Sequence, residues 1–397
     1  EHDSLPSDVS SDGLENDLVF CGLVGMIDPV RPEVKDAIDK ASHAGIRTVM
    51  ITGDHIDTAV AIAKQLGIVE SRDQAITGSD LDKLSDEQLA EKVPDYCVYA
   101  RVQPEHKTRI VEAWKSRGMI VAMTGDGVND APSIKRADIG IGMGITGTDV
   151  TKNVADMILA DDNFATIVSA CEEGRRIYDN IRKVIQFLLS ANLAEVFTVF
   201  AASLIGFSIF SPIQLLWINL ATDSLPALAL GMEDAEGDVM ERSPRDSSDG
   251  VFSDHMGVDC VIQGVIVTLL VLASFFVGVY LDLGYIDIAQ MAAGSADEEG
   301  VMMAFITLSV VEILHSFNMR SRRSSIFSIK RQNSWLGASA AISVLITVIV
   351  TVQPQLVSVF FGGAVLEPLG VVLSLAIAAL IIPIVEAYKA VMRKIEG

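Results

Sequence analysis

Two carboxylates four residues apart, Asp126 and Asp130, lie in the string Thr124-Gly125-Asp126-Gly127-Val128-Asn129-Asp130-Ala131-Pro132. The apolar run 120–123 reads as a strand that delivers the chain to this turn. Gly125 and Gly127 permit a sharp reversal, and Ala131-Pro132 suits the start of a helix. Both acids therefore fall at the carboxyl end of a strand, where open α/β sheets bind their ligands. Hard oxygen donors beside a phosphate are what Mg²⁺ takes. A solvated turn would use the same residue types, so the reading depends on what accompanies the nonamer.

Three further segments accompany it. Thr52-Gly53-Asp54 closes the apolar run Val49-Met50-Ile51, which places a hydroxyl and two amides at another strand's carboxyl end, ready for a phosphoryl oxygen. Lys107 opens a helical pattern after Ala100-Arg101-Val102-Gln103-Pro104, and a cation there can neutralise a phosphorylated carboxylate. Asp28-Pro29-Val30-Arg31 follows a further apolar run. Each is a generic turn when taken alone.

The elements that must hold these residues alternate. Short apolar runs at 19–27, 48–52, 97–100, 120–124, 139–143 and 157–159 read as strands. Helical patterns at 32–44, 57–66, 105–117 and 132–136 separate them. Such alternation predicts an α/β domain with a parallel sheet and helices on both faces. Residues 1–17 are polar and read as a linker or the remnant of a neighbouring domain.

Beyond residue 183 the character changes. Mean hydropathy is +0.40 although 21% of residues are charged, which requires charge and apolar residues to be segregated along the chain. Runs at about 184–207, 212–230, 258–281, 301–319, 336–360 and 368–388 are long enough to span a bilayer. Basic residues gather on one side of these spans: Arg175, Arg176, Arg182 and Lys183, then Arg320, Arg322 and Arg323, then Lys389 and Arg393. The opposite connections, 208–211, 282–299 and 362–367, contain neither Lys nor Arg. This asymmetry predicts a cytoplasmic soluble domain with both ends on that side. A net charge of -22 excludes a nucleic-acid partner. Four dispersed cysteines without a CxxC pair exclude a zinc site and a disulfide framework, and suit a reducing compartment.

Acids inside spans are functional candidates by default. Asn192 and Glu195 share a face of the first span, and Asn219, Thr222 and Asp223 share a face of the second, bracketed by Pro212 and Pro226. Glu312 lies in the fourth. Carboxylates, amide oxygens and a hydroxyl make an oxygen-donor site for a hard cation such as Ca²⁺. Asn or Thr could instead serve as interhelical hydrogen-bond partners, a role that accounts poorly for three acids.

Thr52, then Lys107, then GDGxNDxP, in that order, is similar to the haloacid dehalogenase layout. TGD, ARVQPEHK, MTGDGVNDAPSIKRADIGIGMG and ADDNF together resemble the P-type cation-transporting ATPases, and the likeness runs from about Leu18 to the C-terminus. The resemblance implies that Thr52, with Gly53 and Asp54, contacts the transferred phosphoryl group, with Arg101 and Lys107 on the phosphates of ATP. It further implies that Lys107 balances a phospho-aspartate, that Asp126 ligates Mg²⁺, and that Asn129 and Asp130 complete that environment. Asn192, Glu195, Asn219, Thr222, Asp223 and Glu312 match the ion-liganding positions of the sarco/endoplasmic reticulum calcium pump. Sodium–potassium pumps carry Asp where Asn219 stands, which points to Ca²⁺.

No Asp-Lys-Thr-Gly run, the family's phosphorylated motif, occurs here. The resemblance thus implies the C-terminal part of a calcium pump in a bacterial plasma membrane. The phosphorylation domain would occupy 18–174 and the six-helix membrane domain 175–397. The half carrying the acceptor Asp would be a partner, and the chain alone would be inactive. Alternatives are a pump for Mn²⁺ or Na⁺/K⁺, a membrane-anchored phosphatase of the dehalogenase type, and a non-catalytic fragment that binds a partner. The loop Gly144-Ile145-Thr146-Gly147-Thr148-Asp149 is one residue longer than the reticulum pump's GSGT form.

Overall fold

A computed structural model describes residues 8–15, 18–24, 29–288 and 297–396. The soluble part is parallel α/β, in two three-stranded sheets rather than one continuous sheet. The first has the order β1 (Met50–Thr52), β3 (Val98–Ala100), β2 (Ala75–Thr77). The second runs β4 (Ala122–Gly125), β5 (Ile139–Met143), β6 (Met157–Leu159). Parallel strands require crossovers. Helix α1 (Pro32–His43) precedes β1, α2 (Ile56–Gln65) leads from β1 to β2, and short helices at Gly78–Leu81 and Asp86–Lys92 lead from β2 to β3. Helix α3 (Pro104–Ser116) passes from the first sheet to the second, where α4 (Ala131–Arg136) joins β4 to β5 and α5 (Asp149–Val154) joins β5 to β6. Among the described residues β1 and β4 are edge strands, and Ile51 of β1 packs with Met123 of β4 in one apolar cluster.

One strand expectation fails. Residues 18–24 form no strand, and Val19, Leu23 and Val24 are exposed; Ile27 and Asp28 lie outside the described residues, as does most of 1–17. A strand persists through a hydrogen-bonded neighbour, and no described segment pairs with this one.

Among the described residues six helical stretches are long and apolar enough to cross a membrane. The first, α6 (Phe164–Ile205), also reaches into the soluble part. The Asn163 side chain accepts the Ala165 N–H to start it, and Gly206, in the left-handed region at φ 108°, ends it. Its 42 residues carry no proline, so it runs unbroken for about 63 Å. The second span is α7 (Pro212–Ile218), a π-helical segment Asn219–Asp223, and α8 (Ser224–Leu230). Pro226 cannot donate to the Thr222 carbonyl four residues earlier, which accounts for the widened turn. Then follow α9 (Met256–Leu283) and α10 (Glu298–Asn318), the most enclosed of the six.

The fifth expected span, 336–360, divides into α11 (Ser334–Val352) and α12 (Pro354–Phe361), because Pro354 starts a new helix that the Gln353 side chain caps. The sixth divides into α13 (Pro368–Ala379) and α14 (Ile381–Glu396), since Pro383 has no N–H for the Ala379 carbonyl. Phe207, Phe275, Phe305 and Phe360 belong to the main core of the bundle. A smaller core of Ala37, Ala41, Val168, Val239 and Met240 joins α1 and α6 to the connection between α8 and α9.

Candidate active site and intramembrane cation site

β4 ends at Gly125, and a single 3₁₀ turn, Val128–Asp130, leads into α4. Asp130 is buried and folds back across that turn. Its Oδ2 accepts the backbone N–H groups of Asp126 and Gly127, both at 3.3 Å, and its Oδ1 accepts Lys107 Nζ at 2.5 Å. A Cβ on Gly125 would lie 2.7 Å from Cγ and Oδ2 of Asp130, so only glycine leaves room for this fold-back. The two acids have separate environments. Asp126 is exposed, lines a cavity of about 460 Å³, and its carboxylate has no protein hydrogen bond or ion pair among the described residues. Its carbonyl is anchored by the Thr148 N–H at 2.9 Å and Thr151 Oγ1 at 3.2 Å.

Thr52 ends β1 and accepts the Asp54 N–H on Oγ1 at 3.1 Å, while the same hydroxyl donates to Asp54 Oδ2 at 3.1 Å. Arg101 takes a left-handed conformation at φ 50°, which turns its N–H onto the Asp54 carbonyl at 3.2 Å. The Val102 N–H then reaches the Thr52 carbonyl at 3.4 Å. The segment that carries Lys107 is thereby laced to the Thr52-Gly53-Asp54 turn. Lys107, Asp126 and Asp130 line the same cavity, together with Arg31 and Thr124. Thr52, Gly53, Asp54, Arg101 and Asn129 lie outside its lining.

Sequence reasoning gave Asp162 no role, yet it lines the cavity and organises one wall. Its carboxylate accepts N–H groups from Gly144 at 2.7 Å, Ile145 at 3.1 Å and Thr146 at 2.8 Å, and the Thr146 hydroxyl at 2.8 Å. Partial desolvation pushes its pKa up, but the three backbone donors and the hydroxyl outweigh that and hold it at about 2. Its own backbone is left-handed at φ 49°. The sequence signal was the acidic pair of ADDNF just ahead of a helix start, which by itself reads as capping.

Within the membrane, Glu195, Thr222, Asp223 and Glu312 are buried. Asn219 Nδ2 lies 2.9 and 2.8 Å from the two Glu195 oxygens, joining α6 to the π-helical segment. Thr222 Oγ1 lies 2.9 Å from Glu312 Oε2 and 2.7 Å from the Ile218 carbonyl, joining the same segment to α10. Among the described residues no N–H or O–H donor reaches the buried Asp223 oxygens or Glu312 Oε1. Five of the six expected residues therefore collect at one level. Asn192 is not brought in: it is exposed and bonds the Leu188 carbonyl of its own helix. Among the described residues no three Asp, Glu, His or Cys side chains converge tightly enough to hold one metal ion; Asn219 bonds Glu195 and Thr222 bonds Glu312, both from the same π-helical segment.

The family model for the C-terminus of cation-transporting ATPases matches residues 207–391, and that for haloacid dehalogenase-like hydrolases matches residues 4–138. The chain belongs to the cation-transporting ATPases. As a member of that family it is an integral membrane protein, with a dehalogenase-like parallel α/β domain ahead of six apolar helices. It is 49% identical over 383 residues to calcium-transporting ATPase 1 of Bacillus cereus, covering 95% of this chain and 43% of the relative. Identity to the calcium-transporting ATPase of Bacillus subtilis is 45%, covering 90% and 39% respectively. An endoplasmic reticulum-type calcium-transporting ATPase 3 of Arabidopsis thaliana shares 38%, over 85% and 36%. The chain spans about two fifths of the length of these curated relatives.

Proposed function

We propose that this chain works as the C-terminal part of an ATP-driven calcium pump, exporting Ca²⁺ from the cytosol through an aspartyl-phosphate cycle. The observation that carries the reading is the single helix α6. It is continuous from the Asp162–Asn163 turn beside the phosphate-type cavity to Glu195 at the acid cluster. The names of the relatives support Ca²⁺ as the cargo, as does an all-oxygen donor set without Cys.

In this reading the acceptor carboxylate comes from a strand laid against the free edges of β1 and β4, both of which border the cavity through Ile51, Thr124 and Gly125. Lys107 stands beside it and offsets the charge of the phosphorylated acid. The Thr52 hydroxyl and the Gly53 and Asp54 amides bind phosphoryl oxygens, with Arg101 on the phosphates of ATP and Asn129 at the phosphoryl environment. The donor chemistry fits Mg²⁺: Asp126 offers an uncommitted carboxylate to the cavity, while Asp130 is already saturated by Lys107 and two amides. Asp126 would hold the ion and Asp130 would shape its surroundings; bound Mg²⁺ supplies charge neutralisation on the phosphoryl oxygens.

At the membrane level, Asp223 and Glu312 carry buried oxygens that no donor among the described residues reaches, and an incoming cation would satisfy them. Glu195, Asn219 and Thr222 complete that set, and Asn192 would join it only by a change of rotamer. The basic flanks support a cytoplasmic soluble domain with both ends on that side, and the Bacillus relatives suit a bacterial plasma membrane. ATP-driven ⁴⁵Ca²⁺ uptake by vesicles containing the full-length polypeptide tests the proposal. Uptake that depends on Mg·ATP is the expected outcome, and ATP hydrolysis without Ca²⁺ movement would reject it.

A further inference from the structure

We infer that His106 is a positioning residue for Lys107, held as one fixed tautomer so that the first turn of α3 aims the ammonium at Asp130. The inference rests on the phosphoryl-transfer reading of the cavity. His106 is buried and directly precedes Lys107. Its Nδ1 lies 3.0 Å from the Gln103 N–H, and its Nε2 lies 2.8 Å from Asp82 Oδ1. A backbone N–H can only donate, so Nδ1 is the acceptor and the ring proton sits on Nε2, where it is given to Asp82.

That single assignment ties the first turn of α3 to the segment 78–82. Gly78 closes the other side of the ring. A Cβ there would fall 3.0 Å from both Cε1 and Nδ1 of His106 and against the Arg101 carbonyl. The same Arg101 is left-handed and donates its N–H to the Asp54 carbonyl. The imidazole is thus wedged behind the join between the Thr52-Gly53-Asp54 turn and the Lys107 helix. Gln103 is the N-cap residue, and by accepting its N–H the His106 ring fixes where the helix begins. Lys107 has little slack, since its Nζ is 2.5 Å from Asp130 Oδ1, and a small rotation of the first turn would separate them.

Asparagine distinguishes positioning from bulk. Its Oδ1 occupies the place of His Nδ1 and still accepts from Gln103, whereas leucine fills the volume without accepting. In the full-length polypeptide, phosphoenzyme formation per mole of folded protein should fall by about 10- to 100-fold in His106→Leu. His106→Asn should recover most of that loss, and Gly78→Ala, whose Cβ would press on the Arg101 carbonyl and, at 3.0 Å, on the imidazole, should resemble the leucine variant. ¹⁵N spectra of histidine-labelled protein should show the Nε2–H tautomer for the His106 signal, identified by its loss in His106→Asn. Equal phosphorylation in the leucine, asparagine and wild-type proteins would overturn the inference, as would an Nδ1–H signal. Should His106→Leu not fold, Gly78→Ala carries the test, and wild-type rates in that variant overturn it too. Failure of the wild-type protein to form any phosphoenzyme would instead reject the underlying reading of the cavity.

Discussion

Lys107 and Asp130 are joined by a 2.5 Å ion pair, with Lys107 78% and Asp130 91% withdrawn from solvent at the side chain. The pair links the first turn of α3 to the turn after β4, so it sets the geometry of the cavity mouth as well as its charge. Removing one partner leaves the other charge partly buried and unmatched, a defect worth roughly 2–4 kcal/mol. Lys107→Ala and Asp130→Ala should each destabilise the soluble domain by that order, and the double variant by less than their sum. Denaturant unfolding of the four proteins in a double-mutant cycle measures the coupling. Strict additivity would mean that the pair contributes nothing beyond two independent side chains.

The Asp162 carboxylate should act as an acid-labile clamp. Its pKa is held at about 2, below the ordinary 3.8, so its contribution is fully present above the ordinary value and disappears as pH falls through 2. Amide exchange at Gly144, Ile145 and Thr146 should therefore accelerate, relative to neighbouring strands, as pH drops through that window. Asp162→Ala should show the same acceleration at neutral pH. Protected amides in the variant would remove Asp162 from this role.

These two sites differ in how much of them the sequence exposed. Asp126, Asp130 and Lys107 were legible because the GDGxNDxP string and the lysine behind a helix start are local patterns. Asp162 was not, because its partners lie 16 to 18 positions earlier and meet it only once β5 and β6 pair. Strand β2 was missed since Ala75-Ile76-Thr77 is too short to show a period between polar Asp73-Gln74 and Gly78. Hydropathy found the six apolar stretches but ran single helices across Pro354 and Pro383, because a window average does not register a missing N–H. The Asn192 expectation assumed that helical spacing fixes direction, whereas its rotamer turns back to the Leu188 carbonyl.

The long helix α6 should behave as a rigid connector. Arg175 donates to the carbonyls of Ala44, Val239 and Arg242, and Asn180 Nδ2 to that of Glu233 at 2.7 Å, so the rod is gripped by the soluble domain and by the α8–α9 connection at once. Two glycines inserted beside Asn180 add local freedom at about 1 kcal/mol each and rotate everything beyond them. ATP hydrolysis should then persist while Ca²⁺ uptake per ATP falls sharply. An unchanged ratio would contradict transmission through this helix.

Pro226 should matter to ion binding rather than to phosphoryl chemistry. Pro226→Ala returns a donor to the Thr222 carbonyl and favours an ordinary α-helical turn where the π-helical segment now stands. Thr222 and Asp223 would shift in rotation relative to Glu195 and Glu312. Ca²⁺ activation should weaken by about tenfold or more, the scale of a ligand-orienting defect. Phosphorylation by inorganic phosphate, assayed without Ca²⁺, should survive.

In the proposed cycle, Ca²⁺ at the cluster of Glu195, Asn219, Thr222, Asp223 and Glu312 controls phosphorylation at the cytoplasmic cavity. The most direct test is acid-stable phosphoenzyme formed from Mg·ATP by the full-length polypeptide, titrated against free Ca²⁺, with Glu195→Gln and Asp223→Asn beside wild type. Wild type should phosphorylate only when Ca²⁺ is present, and both variants should need far more Ca²⁺ while still accepting inorganic phosphate in its absence. Wild-type calcium dependence in both variants, or activation by Na⁺ or K⁺ in place of Ca²⁺, would contradict the assignment.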